Sequence, residues 1–174
     1  MRVIASVQSK RGSSRGLIHY LAHSKIDPDR ESVNGRELFN AFTEHLTVRS
    51  ANNFLKSDFG KGRPSNDDLH HLVLSFRQAD FLQIGSTDEE RKRRLKIVTR
   101  HAIGQLEERL QSDRLAWAGA VHLNTANPHV HIAIQKQYLT RDLQSKSLNK
   151  IPREALPHFE LIEGEKQIVG GILI

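Results

Sequence analysis

The stretch VHLNTANPHVHIAI, residues 121–134, decides how this chain is read. It lies within two β-prone runs, AWAGAVHLN (116–124) and HVHIAIQK (129–136), joined by TANP, a four-residue link suited to a hairpin. Side chains alternate across a strand, so His122 and Asn124 share one face while Val121 and Leu123 share the other. On the second run His129 and His131 share a face, and Val130, Ile132 and Ile134 take the opposite one. With residues 125–128 as the loop, Asn124 falls opposite His129 and His122 opposite His131. Opposed Cβ atoms are roughly 5 Å apart and diagonal ones about 7–8 Å, so three imidazoles converge above the sheet while the reverse face feeds the core. Ala118, Ala120 and Ala133, on the histidine face, are small and leave room there. Three neutral imidazoles make a facial metal site with open positions for water or substrate. One strand histidine is usually an ordinary hydrogen-bonded residue; three on one face of one hairpin are a different matter.

Working outward, RVIASVQSK (2–10) alternates and reads as a strand. The basic stretch KRGSSRG follows, then a short helix, LIHYLAHSK (17–25), with Leu17, Ile18, Leu21 and Ala22 as its apolar side. RELFNAFTEHLTVRSANNFLK (36–56) reads as a longer helix, and DLHHLVLSFR (68–77) as a central strand. Ser86 with Glu89 has capping-box spacing at the head of an amphipathic helix over 86–111, with Leu95, Val98, Ala102, Leu106 and Leu110 on its apolar side. Pro152 suits the first turn of a further helix over 151–160. The fold class is α+β, an antiparallel-rich central sheet with flanking helices.

The chain has 174 residues, enough to bury a core as a single domain, and its apolar, abrupt end (IVGGILI) suggests the front part of something longer. It has no cysteine, which excludes a thiol nucleophile, a disulfide scaffold and a zinc ribbon, and fits a reducing compartment. There is no apolar run long enough to span a membrane and no secretory leader, so the expectation is a soluble, cytoplasmic protein. The formal net charge is +6, and residues 1–65 carry eleven bases against six acids, which places nearly all of the excess in the first third. Such an excess attracts polyanions, nucleic acid first among them.

The pattern His122, Thr125, Asn127, His129, Val130, His131, followed by IAI and Lys136, resembles the third motif of conjugative relaxases, the metal-dependent single-strand DNA nickases of the HUH endonuclease superfamily. In its detail it resembles the MobP class, which includes the relaxase of IncP plasmids. Two further relaxase motifs have counterparts in the right order: Tyr20 on a short N-terminal helix, and His71 with Ser75 and Phe76 on a strand. The likeness covers about residues 1–136.

The resemblance implies a palm-type HUH fold, a divalent cation on His122, His129 and His131, and Tyr20 as the nucleophile. Tyr138 follows His131 too soon for the separate helix that replication initiators use, and reads as a packing residue. His19 and His23 then flank the tyrosine. Family usage suggests Mg²⁺ or Mn²⁺, whereas three imidazoles would suit Mn²⁺, Ni²⁺ or Zn²⁺ better than Mg²⁺. The implied partners are single-stranded DNA at an origin of transfer, accessory relaxosome proteins and a type IV coupling protein, with a monomer carried into the recipient cell along with the DNA. Lys10, Arg11 and Arg15 before Tyr20, and His71, Ser75 and Arg77 on the strand, are the candidate DNA contacts, with Lys61 and Arg63 in a nearby loop. Asn124 stands where close relatives have an aspartate; it accepts a hydrogen bond but adds no charge to orient His122 or raise its basicity. Three other readings stay open: an HUH replication initiator, a three-histidine hydrolase without a covalent step, and a DNA-binding protein without catalysis.

Overall fold

Four strands make the central sheet: β1 (Val3–Gln8), β2 (Leu69–Phe76), β4 (Trp117–His122) and β5 (His129–Gln135), in the antiparallel order β1-β2-β5-β4. The computed structural model describes residues 3–8, 14–24, 34–55, 68–123, 127–151, 160–161, 167–169 and 172–173. Cross-strand pairs sort the sheet residues onto two faces. Leu72, Leu74, Phe76, Val130, Ile132, Ile134, Trp117 and Val121 point one way. They form the main core with Leu95, Val98, Ala102, Ile103 and Leu106 of α4 (Asp88–Leu110), which recur at helical spacing. The other face carries His71, Val73, Ser75, His129, His131, Ala133, Ala118, Ala120 and His122.

That second face is covered. Ala118, Ala120 and Ala133 pack in a separate cluster with Leu17, Ile18, Leu21 and Ala22 of α1 (Ser14–His23) and with Ala51 and Leu55 of α2 (Val48–Leu55). The small side chains therefore do not leave open space above the sheet. They let α1 lie close to it, and that proximity sets where Tyr20 stands.

The hairpin register differs from the expected one. His122 pairs with His129 and Ala120 with His131, so residues 123–128 connect the strands instead of 125–128. A slide of two residues keeps every side chain on its face, which is why alternation alone does not distinguish the two registers. The connection is also tied to β2, because the carbonyl of Pro128 accepts a hydrogen bond from the backbone N–H of Phe76 at 2.9 Å. Asn124 lies outside the described residues, as do Lys10, Arg11, Lys61, Arg63 and the expected helix start at Pro152.

The helix expected over 36–56 forms only as α2. Asn40 Oδ1 accepts from the backbone N–H groups of Phe42 and Thr43, an Asx-type turn that competes with a helix. Phe39 instead adds to the sheet edge, exchanging two backbone hydrogen bonds with Gly119 at 2.9 and 2.8 Å. A Cβ on Gly119 would lie 3.1 Å from the Phe39 ring, so the close approach calls for glycine. Helix α2 starts behind Thr47, whose Oγ1 accepts from Ser50 N–H.

The start of α4 is displaced by one residue from its expected cap. Thr87 is the N-cap, accepting from Glu90 N–H, while Glu90 Oε2 accepts from the backbone N–H and hydroxyl of Ser86. These two bonds, with Arg94 behind them, hold the Glu90 carboxyl at about 2, against an ordinary 4.5. A depressed folded value stabilises above the unfolded one, and the contribution is lost as pH falls from about 4.5 to about 2. Glu90→Gln is expected to flatten the acid limb of stability in that window. Urea midpoints measured from pH 6 to pH 2 test this.

Most of the basic run on α4 is paired with acids, on the helix itself and on the loop before α2. Arg91 pairs with Asp88, Lys92 with Glu89 and Arg94 with Glu90, while Lys96 and Arg100 both reach Glu44. After α4 a second antiparallel sheet runs β3-β6-β7, with β3 at Ser112–Arg114, β6 at Gln137–Thr140 and β7 at Ser145–Ser147. Short α3 (Gln78–Gln83) follows β2, and β8 to β10 (Glu160–Leu161, Gln167–Val169, Ile172–Leu173) form a small terminal sheet. None of the described helices is long and apolar enough to cross a membrane.

Candidate metal and nucleophile site

His122 stands at the end of β4, His129 and His131 on β5, and one ligand nitrogen from each lies within 4.8 Å of the others. His122 and His131 are buried and His129 is half-buried. The group contains no carboxylate, so a dication held there would keep its full charge for an anionic substrate.

The hydrogen bonds behind these rings decide which nitrogen each can offer. A backbone carbonyl can only accept, so His122 donates from Nε2 to the Leu21 carbonyl at 2.8 Å and keeps a lone pair on Nδ1. His129 donates from Nδ1 to the Asn127 carbonyl at 3.0 Å and keeps its lone pair on Nε2. His131 Nδ1 meets His71 Nε2 at 2.7 Å, which leaves its Nε2 turned toward His129. Outer partners of this kind fix ring orientation and tautomer in metal sites.

One pair of the three already has the spacing of two ligands on one divalent ion, and the third nitrogen lies within 4.8 Å of both. Metal–nitrogen bonds of about 2.1 Å at right angles separate two ligand nitrogens by roughly 3 Å. His129 Nε2 and His131 Nε2 are 3.0 Å apart.

Tyr20 comes to this site on α1. Its ring sits edge-on to His131, with centroids 5.5 Å apart, and edge-on to His71 at 6.1 Å. The end of α1 is held by partners for its last carbonyls, which a helix leaves unsatisfied. Leu21 receives His122, Ala22 receives the Arg36 backbone N–H at 2.8 Å, and the Ser24 carbonyl receives Arg36 Nη1 at 2.6 Å. One of the three clustered histidines is thus bonded directly to the helix turn that carries Tyr20. His19 and His23 are exposed on α1, their rings 4.4 Å apart. Tyr138 is buried in the main core on the opposite face.

The expected DNA contacts divide. Ser75 pairs across the sheet with His129 and is half-buried, and Arg77 follows it, exposed at the strand end. Arg15 lies in the first turn of α1. His71 is only 1% exposed and its Nε2 lies 2.7 Å from Nδ1 of His131. Two partners were not legible in the sequence. His71 reaches His131 because β2 lies next to β5, a strand order that no local pattern reveals. Arg36 caps α1 from twelve residues beyond Ser24.

The sequence profile of the MobL relaxases matches residues 7–159, most of the chain. No curated protein sequence matches it. In fold it is similar to the conjugative relaxase TrwC, solved metal-bound and in complex with oriT DNA, with a TM-score of 0.52 and 14% identity. The match covers 83% of this chain and 61% of the TrwC chain, so this chain spans about three-fifths of that relaxase's length. The α+β, HUH-type fold expected from the motifs is the one observed, and the relaxase resemblance is met at the level of the family. With more than half of its residues matched, the chain belongs to the family of MobL relaxases.

Proposed function

We propose that this chain nicks one DNA strand at a plasmid origin of transfer, with Tyr20 as the nucleophile and a divalent ion on His122, His129 and His131. The observation that carries this reading is the placement of Tyr20 edge-on over His131, 5.5 Å between centroids, on the face where the three imidazoles gather. The Tyr20 oxygen attacks the scissile phosphorus and its proton passes to solvent. The bond from phosphorus to the 3′ oxygen breaks, and that oxygen leaves as a free 3′-OH after taking up a proton. The product is a 5′-phosphotyrosine, and because the ester conserves the bond energy the reverse step rejoins the strand. A bound metal ion supplies Lewis-acid polarisation of the phosphoryl oxygens. Manganese suits three imidazoles better than magnesium, and zinc or nickel would also be bound.

The chain's own residues do the rest. Helix α1 holds the phenol over the imidazoles, and the Leu21 carbonyl keeps His122 turned toward them. Ser75 and Arg77, at the end of β2 beside His129, and Lys10, Arg11 and Arg15, ahead of Tyr20, contact the phosphates of the bent strand. Asn124 contributes a neutral hydrogen-bond acceptor after His122. The reading extends to accessory relaxosome proteins and a type IV coupling protein as partners, and to a monomeric cytoplasmic enzyme transported with the DNA.

Protein stripped with EDTA and supplied with a labelled origin oligonucleotide tests the metal requirement. No cleavage is expected in chelator, with activity restored by Mn²⁺. Cleavage unaffected by chelator would contradict the reading.

A further inference from the structure

His122 and His129 each have a backbone carbonyl behind them, which fixes one tautomer permanently. Behind His131 stands a side chain instead, His71, with Nε2 2.7 Å from Nδ1 and the rings stacked at 27°. An imidazole both donates and accepts, whereas a carbonyl only accepts.

To offer Nε2 to an ion while neutral, His131 must carry its proton on Nδ1 and donate it to the nitrogen that it faces there, His71 Nε2 at 2.7 Å.

We propose that His71 is the positioning residue of the metal site. It holds the His131 ring through Nδ1 and so keeps Nε2 turned to the ion. This rests on the metal reading given above. It also accounts for a histidine being buried to 1% exposure against the His131 ring, with centroids 4.8 Å apart.

The test compares wild type, His71→Leu and His71→Gln by Mn²⁺ titration calorimetry, with circular dichroism as the check on folding. Leucine can neither donate nor accept, and Mn²⁺ affinity is expected to fall about 10- to 100-fold. Glutamine offers both an N–H and a carbonyl and should recover most of the loss. Leucine within about threefold of wild type, or glutamine no better than leucine, would overturn the proposal. Imidazole ¹⁵N spectra of the Zn²⁺-loaded wild type add a readout free of the variants: a coupling across a hydrogen bond between His131 Nδ1 and His71 Nε2 supports it, and no such coupling with Nε2 coordinated refutes it. A wild type that binds no divalent ion at all would remove the metal reading itself, whereas normal binding with an indifferent His71→Leu removes only the role of His71.

Discussion

Tyr20→Phe is expected to lower origin cleavage by about 10⁴-fold or more, the scale at which removal of a nucleophile acts. Phenylalanine keeps the ring that packs against α1's cluster and lies edge-on to His131 and His71. Mn²⁺ affinity and thermal stability should therefore stay close to wild type, which separates lost chemistry from lost structure. Tyr138→Phe provides the internal contrast. Tyr138 is buried in the main core among α4 and the strands, on the face away from the histidines, so its hydroxyl cannot reach the same phosphate. That variant should cleave normally and keep its stability to within about 1 kcal/mol, since the buried ring is retained. Single-turnover cleavage of a labelled origin strand, run on both variants, measures the difference.

His122→Ala is the second large effect, and it has two parts. The first is loss of a ligand, which should weaken Mn²⁺ binding by more than the about 100-fold that loss of an orienting partner reaches. The second appears without metal. His122 Nε2 satisfies the Leu21 carbonyl, at a buried position near the end of α1. Removal leaves that acceptor unsatisfied, which costs about 1–3 kcal/mol. Amide exchange in α1 should accelerate accordingly. His129→Ala loses a ligand too, but its partner is the carbonyl of exposed Asn127, where water can take over. Comparable metal loss in both variants, with α1 loosened only in His122→Ala, is the expected pattern. Equal loosening in both would deny the tie between the metal histidines and the helix that carries Tyr20.

How far the sequence went follows from what each pattern encodes. Alternation in 121–134 put the histidines on one face and the aliphatic residues on the other, because the period of a strand is two. It could not choose between registers two residues apart, and the bond from Phe76 to Pro128 that ties the connection to β2 comes from a neighbour outside the hairpin. The apolar side of α1 was readable from Leu17, Ile18, Leu21 and Ala22, all of them buried. Over residues 36–47 the expected helix does not form, since Asn40 turns the chain and Phe39 pairs with Gly119. Thr87 took the capping role expected of Ser86, a one-residue difference between two hydroxyls that only the bond to Glu90 resolves. His71 was singled out by its motif, but its position under His131 depends on β2 lying beside β5. The three alanines were rightly seen as making room; the occupant of that room, α1, belongs to tertiary structure.

The account stands on a covalent step by Tyr20, and the product of a single reaction reports on it most directly. Protein, Mn²⁺ and supercoiled plasmid carrying the cognate origin are incubated, and the products are separated on a denaturing gel with and without protease. A nicked strand whose 5′ end carries a protease-sensitive adduct, absent with Tyr20→Phe, is the predicted result. Nicks without an adduct, or an adduct that persists in Tyr20→Phe, would contradict it.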